Sequence, residues 1–77
     1  MCAQKSRSVV ERFPEVLREV RTEKGLSQEA LADRAGLHRT YISQIERGLK
    51  SPSLKSLAQI ANALGVPLSG LMRRMEA

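Results

Sequence analysis

The sequence predicts an all-α fold, a compact bundle of four to five short helices. Apolar residues recur at helical spacing in several separate stretches of the chain. Serine or proline stands where those stretches would begin, and glycine stands where they would end, as expected at helix boundaries. At 77 residues the chain allows one domain, and so small a core usually needs further stabilisation, for instance from oligomerisation.

The first main helix is predicted over residues 14–24. Pro14 would take its first position, where the missing N–H does no harm, and Gly25 stands where the helix must stop. The buried face of this helix would consist of Phe13, Val16, Leu17 and Val20. We expect residues 1–12 to form a mobile arm and residues 13–77 to form the folded domain.

The next two helices are predicted to be joined by a tight turn. Ser27 is a good N-cap for a helix over residues 28–35, and the turn follows at Gly36. His38 occupies the cap position of a third helix, which ends near Gly48. Two short helices connected in this way form a helix-turn-helix.

Five polar side chains share one face of the third helix, because residues three and four apart are neighbours on a helix surface. They are Arg39, Thr40, Ser43, Gln44 and Arg47. The opposite side, predicted to pack inward, carries Tyr41, Ile42 and Ile45. Arginine, threonine, serine and glutamine supply the donors and acceptors that read base edges in a DNA major groove. We therefore expect the five polar side chains to read bases of double-stranded DNA.

The charge distribution supports this expectation. The formal net charge is +5 and the sequence pI is about 10.2. Residues 11–34 carry five basic and six acidic side chains, whereas residues 36–60 carry four basic and one acidic. The positive excess therefore coincides with the third helix and the loop after it, where Lys50 and Ser51 are suited to phosphate contact.

The C-terminal part carries an apolar stripe with two interpretations. Ser53 would cap a fourth helix over residues 54–64, and a last helix would follow over residues 68–75, although Gly70 weakens it by about 1 kcal/mol relative to alanine. The stripe either closes the core of a monomer or forms a two-fold dimer interface. We favour a homodimer, because a small core gains stability by burying such a surface. The predicted interface consists of Ile60, Leu64, Leu68, Leu71 and Met72.

Several classes of function are not expected. Cys2 is the single cysteine and His38 the single histidine, so no intrachain disulfide is possible and no metal site is expected. We also expect no cofactor. We expect no enzyme, because the chain shows no paired carboxylates in an apparent cleft, no nucleophile with a nearby base and no glycine-rich phosphate loop. So small a core also leaves little space for a small-molecule ligand.

The sequence also predicts where the protein acts. No apolar run approaches the roughly 20 residues that a membrane span requires, and no secretory pattern opens the chain. A lone thiol suggests a reducing compartment. We expect a cytoplasmic protein that is associated with the nucleoid when it is bound to DNA.

Residues 21–66, RTEKGLSQEALADRAGLHRTYISQIERGLKSPSLKSLAQIANALGV, resemble the Cro-like phage-repressor helix-turn-helix family, also called the XRE family. The run HRTYISQIERG is most similar to controller proteins of restriction-modification systems. Pro14 and Gly70 depart from the family pattern, in the first and last helices. The resemblance implies a sequence-specific transcriptional regulator that binds an inverted repeat as a homodimer.

The resemblance also implies roles for individual residues. Arg21 and Glu46 match a largely buried salt bridge between the first and third helices, and Gln28 matches a phosphate-contacting glutamine. Other residues are suited to phosphate contact by their positions. The predicted phosphate contacts are therefore Gln28, His38, Tyr41, Lys50 and Ser51. RNA polymerase is a further partner if the protein activates transcription. The alternative from another class is an antitoxin-like module with weak DNA binding, whose apolar stripe over residues 64–75 binds another protein.

Overall fold

The computed structural model describes residues 9–77, and within them the chain forms five α-helices and no strand. A 3-10 turn (Val10–Arg12) runs directly into the first helix. The helices are α1 (Phe13–Glu23), α2 (Gln28–Ala35), α3 (Arg39–Glu46), α4 (Leu54–Leu64) and α5 (Leu68–Glu76). The predicted all-α helix-turn-helix fold is confirmed. None of the helices in this part of the chain is long and apolar enough to cross a membrane.

The helix boundaries follow from local sequence. The Ser27 hydroxyl accepts a hydrogen bond from the Ala30 N–H at 3.0 Å, and the Ser53 hydroxyl accepts one from the Ser56 N–H at 3.1 Å. Each bond satisfies one of the backbone donors that a helix N-terminus leaves without an intrahelical partner. Gly36 ends α2 with a φ of +72°, in the left-handed region where a side chain would be strained. This glycine sets the turn between α2 and α3.

The predicted mobile arm, residues 1–12, lies mostly outside the described residues. Its last three residues belong instead to the 3-10 turn before α1. Arg12 ties this turn to the end of α5 by donating hydrogen bonds to the carbonyl oxygens of Met75, at 3.0 Å, and Ala77. A cation is favourable there, because the C-terminal end of a helix carries partial negative charge. The folded part of the chain therefore begins before residue 13.

The core is built from all five helices. α1 packs against α3 and α5, α2 packs against α3 and α4, and α4 packs against α5. Arg74 of α5 adds a surface ion pair with Glu23 of α1, at 2.8 Å. The fully buried large side chains are Phe13, Leu17, Val20, Leu31, Ile42, Ile45, Ile60 and Leu71.

The core corrects the predicted dimer interface. Ile60, Leu64 and Leu71 are only 0%, 3% and 1% exposed within a single chain, so a second copy has no access to them. Leu68 is half-buried against the same core. Of the five predicted interface residues, Met72 alone is exposed, at 39%. Most of the apolar stripe therefore closes the monomer, which is the other interpretation of the sequence.

Candidate nucleic-acid interface

The orientation of α3 is fixed by its apolar side. Ile42 and Ile45 are fully buried, and Tyr41 is half-buried against the core. Because these residues anchor one side of the helix, its other side must point away from the core. We call that outward side the reading face, and it consists of Arg39, Thr40, Ser43, Gln44 and Arg47.

The reading face borders a shallow polar depression of about 250 Å³. All five residues of the reading face line it, and Arg39, Thr40 and Arg47 are exposed. Gln28, at the start of α2, and Leu49, just after α3, complete its rim. The predicted base readers are thus side by side on one accessible surface. Sequence reasoning missed Leu49, and its only signal was an apolar residue in an otherwise polar loop.

The predicted phosphate contacts do not form one cluster. Gln28 borders the reading face, but Lys50 and Ser51 line a separate depression of about 290 Å³, together with Gly48 and the start of α1. His38 is exposed at the N-cap of α3, where its side chain accepts no cap hydrogen bond from the described residues. The described structure thus places these predicted phosphate contacts in separate positions around the two ends of α3.

A buried carboxylate fastens α3 to the rest of the domain. The Glu46 side chain, only 1% exposed, accepts hydrogen bonds from Arg21 Nε at 2.6 Å and from the terminal Arg21 nitrogen Nη2 at 3.0 Å. Arg21 also donates to the Leu26 carbonyl at 2.8 Å, which extends the contact to the loop before α2. The pair therefore joins α1, α3 and that loop, although Glu46 lies on the helix that carries the reading face.

Two further side chains join this ion pair. Arg18 donates to the Glu46 main-chain carbonyl at 3.3 Å, and its Nε lies 3.7 Å from the Glu46 carboxylate. Sequence reasoning gave Arg18 no specific role, although its spacing of three from Arg21 places both on one side of α1. Gln28 donates to the Glu46 carboxylate at 3.0 Å. Since an amide nitrogen carries two hydrogens, this bond orients Gln28 and leaves one hydrogen for another acceptor.

The ionisation of Glu46 reflects these contacts. Burial disfavours the charged carboxylate, but hydrogen bonds from Arg21 and Gln28 and the charges of Arg21 and Arg18 outweigh it, so the pKa of Glu46 lies below its ordinary value. The hydrogen bond with Glu46 also raises the pKa of Arg21. Both groups are therefore charged at neutral pH, and the pair holds α3 in place.

Comparisons with known proteins agree with this geometry. A sequence profile described as helix-turn-helix matches residues 17–71. The chain belongs to the helix-turn-helix family. Control protein C.BamHI of Bacillus amyloliquefaciens is 46% identical over 61 residues, which are 78% of this chain and 75% of that protein.

Solved structures give the same result. The restriction-modification controller protein C.AhdI from Aeromonas hydrophila superposes with a TM-score of 0.76 at 44% identity, over 82% of this chain and 94% of that one. The wild-type controller protein C.Esp1396I gives a TM-score of 0.83 at 34% identity, over 92% and 93% of the two chains. The predicted family and the similarity to controller proteins are thus confirmed, and the chain is a helix-turn-helix transcriptional regulator homologous to them.

Proposed function

We propose that the protein is a sequence-specific regulator of the restriction-modification controller type, which binds an inverted-repeat operator as a homodimer. The observation that carries this proposal is the reading face, where five polar side chains border one accessible depression on a helix whose other side is buried. In this proposal α3 enters the major groove. The protein then acts by occupying a promoter, without chemistry of its own.

The side chains of the reading face differ in the bases they suit. Arg39 or Arg47 can make a bidentate contact with guanine O6 and N7, and Gln44 can make the corresponding contact with adenine. Thr40 combines a hydroxyl group with a methyl group and suits thymine. The residues around α3 hold phosphates and set the register of the protein on the duplex. They are Gln28, His38, Tyr41, Lys50 and Ser51.

The dimer contact in this proposal is a different apolar surface from the one that the sequence indicated. Val9, Val10 and Met72 are exposed, and they border an apolar cavity of about 140 Å³. We call these three residues the Met72 surface. In this proposal a second copy meets it about a two-fold axis, and the dimer has to place its two α3 helices on half-sites about 34 Å apart.

The burial of much of the apolar stripe argues against the antitoxin-like alternative. An antitoxin-like module would need the stripe over residues 64–75 to be accessible, but Leu64, Leu71 and Met75 are buried in the core of the single chain. The site of action is then nucleoid DNA in the cytoplasm. Contact with RNA polymerase is required only if the protein activates transcription as well as represses it.

Selection of bound duplexes from a random DNA pool tests the proposal. We expect an inverted repeat that binds at least about 1000-fold more tightly than a scrambled duplex at the same salt concentration. Arg39→Ala should relax the preference at one base position per half-site, while Lys55→Ala, an exposed change on α4, should leave the preference intact. If no motif emerges and all binding disappears steeply with salt, the basic surface is a general polyanion site and the proposal fails.

A further inference from the structure

Four of the described helices end in the same turn. Each has a glycine with φ between +70° and +77°, followed by a leucine or valine whose N–H donates to the carbonyl five residues earlier. This pattern is the Schellman motif, in which the residue after the glycine usually makes an apolar contact with the last turn of the helix. The four bonds run from Leu26 to Arg21 at 3.1 Å, Leu37 to Ala32 at 2.9 Å, Leu49 to Gln44 at 2.8 Å and Val66 to Ala61 at 3.1 Å.

Leu49 is the exception among these four residues. The other three are partly buried and pack against the core. Six positions before each of them stands a buried apolar residue, whereas the residue six positions before Leu49 is Ser43, part of the reading face. The three buried residues are Val20, Leu31 and Ile60. Leu49 therefore lacks the apolar partner that its motif usually provides, and its side chain is 62% exposed.

The position of Leu49 indicates what it could contact. Its N–H bond to the Gln44 carbonyl fixes it beside the end of α3, and Leu49 lines the same depression as the reading face. The Leu49 side chain has no group that can form a hydrogen bond with a phosphate. Among the base edges of the major groove, the apolar group is the C5-methyl of thymine, and a methylated cytosine carries a methyl at the same ring position.

We propose that Leu49 is a specificity-determining residue that contacts the C5-methyl group of one pyrimidine in each half-site. The inference rests on the proposed function, because it requires α3 to lie in the major groove. Burying one methyl group against leucine is expected to change the affinity about fourfold. The pyrimidine is either thymine or 5-methylcytosine, and the two are separated by base replacement.

The experiment uses the full chain and the duplex selected above. Each thymine is replaced in turn by uracil, which removes only the methyl group, and each cytosine in turn by 5-methylcytosine, which adds one. If thymine is the contact, uracil at one position per half-site should weaken binding by wild type about fourfold and leave binding by Leu49→Ala unchanged. A thymine that Thr40 contacts should instead stay sensitive to uracil in both proteins. If methylated cytosine is the contact, one added methyl should strengthen binding by wild type and leave Leu49→Ala unaffected.

Leu54→Ala is the matched control, because Leu54 is 71% exposed but does not line the depression at the reading face. It should retain the full methyl dependence of wild type. The inference is overturned if Leu49→Ala keeps the same methyl dependence as wild type. That includes the case in which the variant weakens binding to all duplexes equally. Failure of the proposed function looks different, since no duplex would then be selected at all.

Discussion

The outer side of α3 and the apolar stripe of α4 and α5 make an instructive comparison, because the sequence predicted an exposed functional surface in both regions. The reading face on α3 is outside the core, as its polar side chains require. Most of the stripe is inside, with Ile60 and Leu71 fully buried. A polar face has one favourable location, whereas an apolar stripe can be buried within one chain or between two. Polar patterning therefore located a surface more reliably than apolar patterning did.

Glu46→Gln should have the largest effect, because it breaks the ion pair that holds α3 and its reading face in place. The change leaves Arg21 without its counter-charge. Removing one partner of a buried ion pair typically costs about 3 to 5 kcal/mol of folding free energy. Urea unfolding at pH 7 measures this loss. Glu19→Gln, on the exposed side of α1, is the control and should change stability by less than about 0.5 kcal/mol.

The stability difference between wild type and the same variant should depend on pH, with a definite sign. The folded-state pKa of Glu46 is lowered, so its contribution to stability is fully present above the ordinary glutamate pKa and is lost as the pH falls through the lower, folded value. The difference in unfolding free energy between wild type and Glu46→Gln should therefore shrink in acid. A difference that stays constant from pH 7 to pH 3 would contradict the role assigned to this carboxylate.

Ile60→Ala tests the other side of the comparison. Ile60 is fully buried within one chain, and the cavity left by its truncation should cost about 2 to 5 kcal/mol. Since the residue is in the monomer core, wild type and variant should differ by the same amount at low and at high protein concentration. A stability loss that appears only where the chain is dimeric would mean that Ile60 lies in a dimer interface, and it would contradict our conclusion that the residue belongs to the monomer core.

How far the sequence predicted the fold can be seen at the helix ends. Ser27 and Ser53 cap their helices, and α2 and α4 have the predicted bounds, because capping depends on neighbouring residues alone. The start of α1 was harder to predict. The sequence predicted that Pro14 takes the first position of the helix. In the structure the helix starts one residue earlier, at Phe13, where it continues a 3-10 turn, and Pro14 takes the second position.

The site was predictable to a similar extent. Helical periodicity placed the five residues of the reading face on one side of α3, and the family resemblance supplied the pairing of Arg21 with Glu46. The roles of Arg18 and Leu49 depend on which elements meet in three dimensions, which no local pattern encodes. For the same reason the sequence favoured a dimer interface for Ile60 and Leu64, whereas both are buried within one chain, where α4 packs against α2 and α5.

Met72→Lys should separate dimerisation from folding. Met72 is exposed in the single chain, so a lysine there should change monomer stability by less than about 0.5 kcal/mol. A charge in the Met72 surface should weaken the proposed dimer at least about tenfold, which is 1.4 kcal/mol, as measured by analytical ultracentrifugation. Arg73→Lys, an exposed and charge-conserving neighbour, is the control. An unchanged dimerisation constant in Met72→Lys would place the interface elsewhere.

Gly70→Ala should have the smallest effect, and it tests whether α5 serves mainly as part of the monomer core. Gly70 is within α5 and its φ is not positive, so alanine suits its backbone. An added Cβ would lie 3.4 Å from Pro67 Cγ, an ordinary contact, and alanine is favoured over glycine in helices by up to about 1 kcal/mol. Thermal unfolding should therefore show a modest gain in stability at every protein concentration, with no change in dimerisation. A gain seen only where the chain is dimeric would instead mean that α5 becomes ordered when two copies meet.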